Sequence, residues 1–195
     1  MLGSSYLARW VDLLAASKGA VVVVTGGGPF AEAVRAAQRK WRFNDASAHR
    51  MAILAMEQFA FLLCGLEPRL QPAASRSAIT QACRRGTTPV WLPARMTFGV
   101  AGLPESWDVT SDSLALWLTD ALGMSRLVLV KSARLPRTTA NPVLLASRGI
   151  IDPFMPSLLS RTGLECHVIE AGKASLFAKA LRGGPVAGTR LTFDG

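Results

Sequence analysis

The 195-residue sequence predicts an α/β fold built on a mostly parallel sheet with helices on both faces. Three observations predict it. Short β-branched runs alternate with helical patterns along the chain. The valine run at 21–24 lacks polar alternation, as in a strand covered on both sides. That run passes directly into Gly26, Gly27 and Gly28, a strand-to-helix turn with Pro29 at the helix start.

In chain order, Leu7, Trp10, Val11, Leu13 and Leu14 form one apolar stripe, which predicts a helix over 6–16 stopped by Lys18 and Gly19. The small and basic residues of 31–39 predict a second helix. A third, over 46–64, is apolar apart from His49, Arg50, Glu57 and Gln58 and is expected to be buried. Residues 67–72, with two prolines, read as a connector. A short helix over 75–84 closed by Gly86, a strand over 88–92 and a broken loop over 93–108 follow. The second half continues with helix 111–122, strand 126–130, a loop over 132–149, helix 153–161, strand 164–169, helix 172–181 and strand 186–191. Nothing in the sequence marks a linker, a repeat or a heptad, so residues 1–195 are expected to form one domain.

Composition bounds the function. Half the residues are apolar and 18% are charged, which excludes a disordered polyelectrolyte. No uninterrupted apolar run approaches the roughly 18 residues of a membrane span. The amino-terminal stretch carries Arg9 and Asp12 within its apolar residues and lacks a basic leader, so a cytoplasmic location is expected. Cys64, Cys83 and Cys166 have no metal-ligand spacing, and no metal site is read from the residues. The excess of 22 basic over 13 acidic residues, a net +9, favours an anionic partner. Its charges are scattered over several elements without interleaved aromatics, which argues against nucleic acid.

Four groups of residues can carry chemistry, and His167 stands apart from them. Gly26, Gly27 and Gly28 at a helix start make either an anion nest or a tight packing turn. Asp108, Thr110, Ser111 and Asp112 lie at the start of a helix, where a carboxylate and hydroxyls either cap the first turn or orient a cationic side chain near phosphate. Lys131 ends a strand, the edge where open α/β sheets gather ligands, and is either a phosphate-neutralising cation or a solvated strand end. His49, Arg50 and Glu57 share a helix. They form an ion pair, internal or at a dimer interface, or line a substrate pocket. His167, on a strand, is read as structural.

Taken together, VVVVTGGGPF, AHRMAILAMEQF, WDVTSDSLALWL and RLVLVKS resemble, in order and spacing, the amino acid kinase superfamily, and within it the aminomethylfuran phosphate kinase branch of methanofuran-type cofactor biosynthesis. The resemblance implies a three-layer αβα fold, usually dimeric or higher, that uses ATP and magnesium to phosphorylate a small acceptor, here a phosphorylated aminomethylfuran or similar phosphomonoester. On that reading Gly26, Gly27, Gly28, His49, Arg50 and Glu57 bind the acceptor. Asp112 orients catalytic lysines, Lys131 takes part in catalysis, and Thr110, Ser111 and Lys131 lie towards the nucleotide. Two departures are plain. The family's first strand and its KxGGS-type phosphate loop are lacking, with at most a remnant at Leu2, Gly3, Ser4 and Ser5, and SARLPRTTANP follows Lys131 where relatives carry Val-Asp-Gly. Asp152 and Pro153 agree with the branch. The other reading is a noncatalytic or regulatory protein that keeps the fold and binds a ligand or partner.

Overall fold

A computed structural model describes residues 5–135, 139–182, 184–186 and 188–193. Of the expected remnant of a first phosphate loop at 2–5, residues 2–4 lie outside them and residue 5 starts the first helix. The chain divides into two compact units, Met1–Trp107 and Asp108–Gly195.

In the first unit α1 (Ser5–Ala15) ends as predicted, with Lys18 and Gly19 in the left-handed region. A Cβ on Gly19 would sit 2.7 Å from the Cys83 carbonyl, so only glycine fits that turn. The helices α2 (Gly28–Trp41) and α3 (Asp45–Leu66) follow, then β1 (Leu70–Ala73), α4 (Arg76–Arg84), β2 (Thr88–Trp91) and the single turn α5 (Ala94–Thr97). The β1 and β2 strands pair in parallel. Val11, Val23, Phe59, Leu63, Leu70 and Val90 form the core between helices and strands.

Four expectations are corrected here. The valine run contributes one parallel bridge, Val23 to Val90, and no extended strand. The reason lies opposite it. Val23 donates to the Pro89 carbonyl at 2.9 Å and accepts from Trp91 at 2.8 Å, and the preceding rung would need an N–H that Pro89 lacks. The supposed connector holds β1 despite Pro72, and the loop at 93–108 holds α5. The third helix is buried along one face only. Ala48, Ile53, Met56, Phe59 and Leu63 point inward while Met51, Leu54, Phe61 and Leu66 are exposed. By length and composition α3 is also apolar enough to cross a membrane, a property hidden from the run count by its interspersed polar residues.

The second unit contains α6 (Ser111–Ala121), β3 (Arg126–Lys131), β4 (Thr139–Ala140), α7 (Pro142–Ser147), α8 (Met155–Thr162), β5 (Glu165–Glu170), a short 3-10 turn, α9 (Ala174–Leu181) and β6 (Thr189–Leu191). Its sheet runs β3-β5-β6-β4. The β3–β5 and β4–β6 pairs are parallel while β5 and β6 are antiparallel, so the sheet is mixed. Helix α6 packs on β3 and α8, and α9 packs on β5. The expected loop over 132–149 contains β4 and α7. Asn141 caps α7 by accepting from the Val143 amide at 2.9 Å, and Pro142 takes its first turn.

Candidate functional site

The glycine turn is required by packing, and its backbone geometry is compatible with the anion reading. Thr25 is buried and its hydroxyl donates to the Met56 carbonyl at 2.9 Å, which anchors the turn to α3. Gly27 is right-handed (φ −75, ψ −9) and Gly28 left-handed (φ +52), the alternation that lets successive amides converge on an anion. Packing also demands glycine. A Cβ on Gly27 would lie 2.6 Å from the Ala31 Cβ, and one on Gly28 would lie 2.6 Å from the Phe59 ring. Among the described residues the amides of Gly26, Gly27 and Gly28 donate to no acceptor. They lie at the positive end of the 14-residue α2, where an anion is favoured.

Arg50 and Glu57 do not form the internal ion pair that was one reading of this helix. Arg50 donates to Glu105 at 3.0 Å, exposed, and makes no ion pair with Glu57. Glu57 accepts from the Ala94 amide at 2.8 Å, at the entry to α5. The Nδ1 of buried His49 lies 2.9 Å from the Ser106 carbonyl. These contacts fasten the 94–106 segment to α3. The next residue, Trp107, donates its indole N–H to Gln38 at 2.6 Å, and the Arg35 guanidinium lies 3.8 Å from its ring. Gln38, Glu105 and Trp107 escaped sequence reasoning because no local pattern marks contacts between residues so distant in the chain.

In the second unit the structure brings Asp112 and Lys131 together. The Lys131 ammonium donates to Asp112 Oδ2 at 2.6 Å, with side-chain exposures of 21% and 8%. Lys131 ends β3, and Asp112 is the second residue of α6. Burial pushes the Asp112 carboxyl above the ordinary aspartate range, and the Lys131 ammonium offsets only part of that shift. Cys166 on the neighbouring strand is buried, which pushes its thiol up and leaves it unreactive.

The cap reading of this helix start is corrected. Neither Thr110 nor Asp112 caps α6 through its side chain. Asp152 supplies the cap from outside, accepting on Oδ2 from the amides of Thr110 and Ser113, each at 2.9 Å. The Thr110 hydroxyl, expected on the nucleotide side, also donates to Asp152, at 3.0 Å. Ser111 is half-buried in the first turn. A signal for Asp152 was present, since a carboxylate three residues before a helix residue can accept its amide, as Asp152 does from Met155 at 2.9 Å.

No family model matches the sequence. Solved structures do match it. Uridylate kinase from Archaeoglobus fulgidus aligns with 95% of this chain and 93% of its own, at a TM-score of 0.67 and 16% identity. UMP kinase from Bacillus anthracis aligns with 94% and 87%, at 0.66 and 14%. The chain has the amino acid kinase fold, a three-layer α/β architecture. Isopentenyl phosphate kinase aligns with 93% of this chain and 89% of its own, at 0.52 and 18% identity. In sequence the chain is similar to [5-(aminomethyl)furan-3-yl]methyl phosphate kinase of Methanocaldococcus jannaschii, 21% identical over 109 residues, or 56% of this chain. The match spans about half the length of that curated relative (50%).

Proposed function

We propose that this chain is an ATP-dependent small-molecule kinase whose acceptor already carries a phosphate, with a phosphorylated aminomethylfuran as the favoured substrate. The observation that carries the reading is the likeness of nearly the whole chain to kinases whose named acceptors, UMP and isopentenyl phosphate, are phosphate monoesters. The weaker sequence match adds an aminomethylfuran phosphate to that set. Two features of the chain itself fit anionic chemistry. One is the three free amides of the glycine turn, which suit an acceptor phosphate. The other is the Lys131–Asp112 pair, which sets an ammonium at a strand end.

In such a reaction an oxygen of the acceptor phosphate attacks the γ-phosphorus of ATP. The bond to the bridging oxygen breaks, and ADP leaves with its electron pair. The acceptor oxygen is already anionic at neutral pH, so no general base is required. Catalysis reduces to positioning and charge neutralisation. Asp112, fixed in the first turn of α6, holds the Lys131 ammonium in a set direction, and that ammonium neutralises charge on the transferring group. Among the described residues no three His, Cys, Asp or Glu side chains gather as a cation cage. Magnesium fits this reaction as the ATP complex, held largely by phosphate oxygens and water, where it lowers the charge on the phosphates.

The test is magnesium-dependent ATP consumption by the purified chain with [5-(aminomethyl)furan-3-yl]methyl phosphate, beside UMP and isopentenyl phosphate. Turnover is expected with the furan, and Lys131→Ala and Asp112→Asn should each lower kcat by roughly 10²–10³. Ligand binding without turnover in every arm would overturn the enzyme reading in favour of a binding protein that keeps the fold.

A further inference from the structure

Asp152 is buried and its carboxylate collects donors from two helices and from the approach to them. Its Oδ2 accepts from the Thr110 amide, the Thr110 hydroxyl and the Ser113 amide, and its Oδ1 accepts from the Ser113 hydroxyl and the Met155 amide. One side chain therefore satisfies amides at the amino-terminal ends of both α6 and α8, where no intrahelical acceptor exists. The main chain of the same residue does something a cap does not require. Its amide donates to Asp112 Oδ2 at 3.2 Å, the oxygen that also takes the Lys131 ammonium at 2.6 Å. Side chain and backbone of Asp152 thus hold, respectively, the helix turn that carries Asp112 and the carboxylate itself.

We propose that Asp152 is a positioning residue that fixes the Asp112 carboxylate against Lys131. The reaction it serves rests on the kinase reading, while the geometry it sets is testable without turnover. A capping role alone predicts a different response, because Asp152 is also a negative charge beside Asp112. Removing that charge with no change of geometry makes Asp112 easier to ionise. Removing it and letting the turn drift away from Lys131 strips Asp112 of that cationic neighbour and makes ionisation harder. The titratable groups facing Asp112 are Asp152, Lys131 and the Cys166 thiol.

The experiment is a carbon-13 titration of the Asp112 carboxyl in the full chain, comparing wild type, Asp152→Asn and Ser113→Ala, with kcat and KM measured on the same samples. Asp152→Asn keeps the shape of the side chain but replaces one accepting oxygen with an amide NH2 that faces donors. The Asp112 midpoint should rise by about one unit, tenfold in proton affinity. In parallel kcat should fall by about tenfold or more, with KM for either substrate within about twofold, because only the transition-state interaction is lost. Ser113→Ala removes one donor and retains the Asp152 charge, so a smaller rise in the same direction reports geometry alone. It also gives the reading if Asp152→Asn fails to fold. A midpoint that is unchanged or lowered in the folded variants overturns the proposal. A wild-type chain that titrates as expected yet shows no ATP turnover overturns the kinase reading and leaves the positioning role standing.

Discussion

Gly28 meets two demands with one missing side chain. Its φ of +52 disfavours any residue with a Cβ, and the place a Cβ would take is 2.6 Å from the Phe59 ring. Gly28→Ala should therefore destabilise the chain by about 1–3 kcal/mol, read as a lower urea midpoint at unchanged m-value. An unchanged midpoint would show that the turn relaxes freely. Much of the site is legible at this scale. Three glycines after a β-branched run announce close backbone approach, a carboxylate at a helix start announces a charge near a positive helix end, and a lysine closing a strand announces a cation at the sheet edge. The partner of Thr110 is not legible. Asp152 lies 42 positions further along the chain, and no local periodicity connects the two. For the same reason the seven-residue spacing of Arg50 and Glu57 pointed to a pair that the fold does not make. Their contacts are with Glu105 and the Ala94 amide, which arrive from another segment.

At the scale of elements, proline explains where the strand reading went wrong. Pro89 sits within β2 at the rung where Val21 would accept, so the valine run shortens to a bridge at Val23. Restoring the donor is a direct check. In Pro89→Ala the new amide should bond the Val21 carbonyl and appear in hydrogen exchange as a slowly exchanging position, extending the ladder by one rung. Fast exchange at residue 89 would mean that something other than the missing donor limits the strand. The helices were more readable than the strands because each carries its own signals. Asn44 accepts from the Ser47 amide at 2.8 Å and starts α3, and left-handed Gly163 ends α8. The Asn141-Pro142 start of α7 was equally visible, although the surrounding Pro, Thr and Arg residues made the stretch read as a loop.

For the molecule as a whole, the composition pointed to an anionic partner but not to a surface for self-association. One observation bears on each. The charge of +9 is spread over exposed residues, several of them in surface pairs such as Arg69 with Glu67 and Arg126 with Glu165, which contribute little to stability. The apolar surface is more concentrated, with Met51, Leu54 and Phe61 exposed on one side of α3 at helical spacing. Antiparallel self-pairing of that face would set Met51 against Phe61 of a second copy, in keeping with the homo-oligomer expected from the resemblance. Sedimentation of the wild-type chain should give a dimer or higher species, and Phe61→Lys should shift it towards monomer without loss of helical signal. A monomeric wild type would remove the oligomer expectation.

The sequence by itself determined what short-range physics decides. Helix periodicity, caps, the glycine turn, the excess of basic residues and the identities of Asp112 and Lys131 as charged groups at element ends all depend on neighbours within a few positions. Only the tertiary structure decided which strands pair, which face of α3 stays bare, and that Asp152 gathers the turn carrying Asp112 while its own amide meets Asp112 Oδ2. Those outcomes rest on hydrogen bonds and packing between segments tens of residues apart. The partner of a buried polar group is chosen there by which segments the fold brings within about 3 Å.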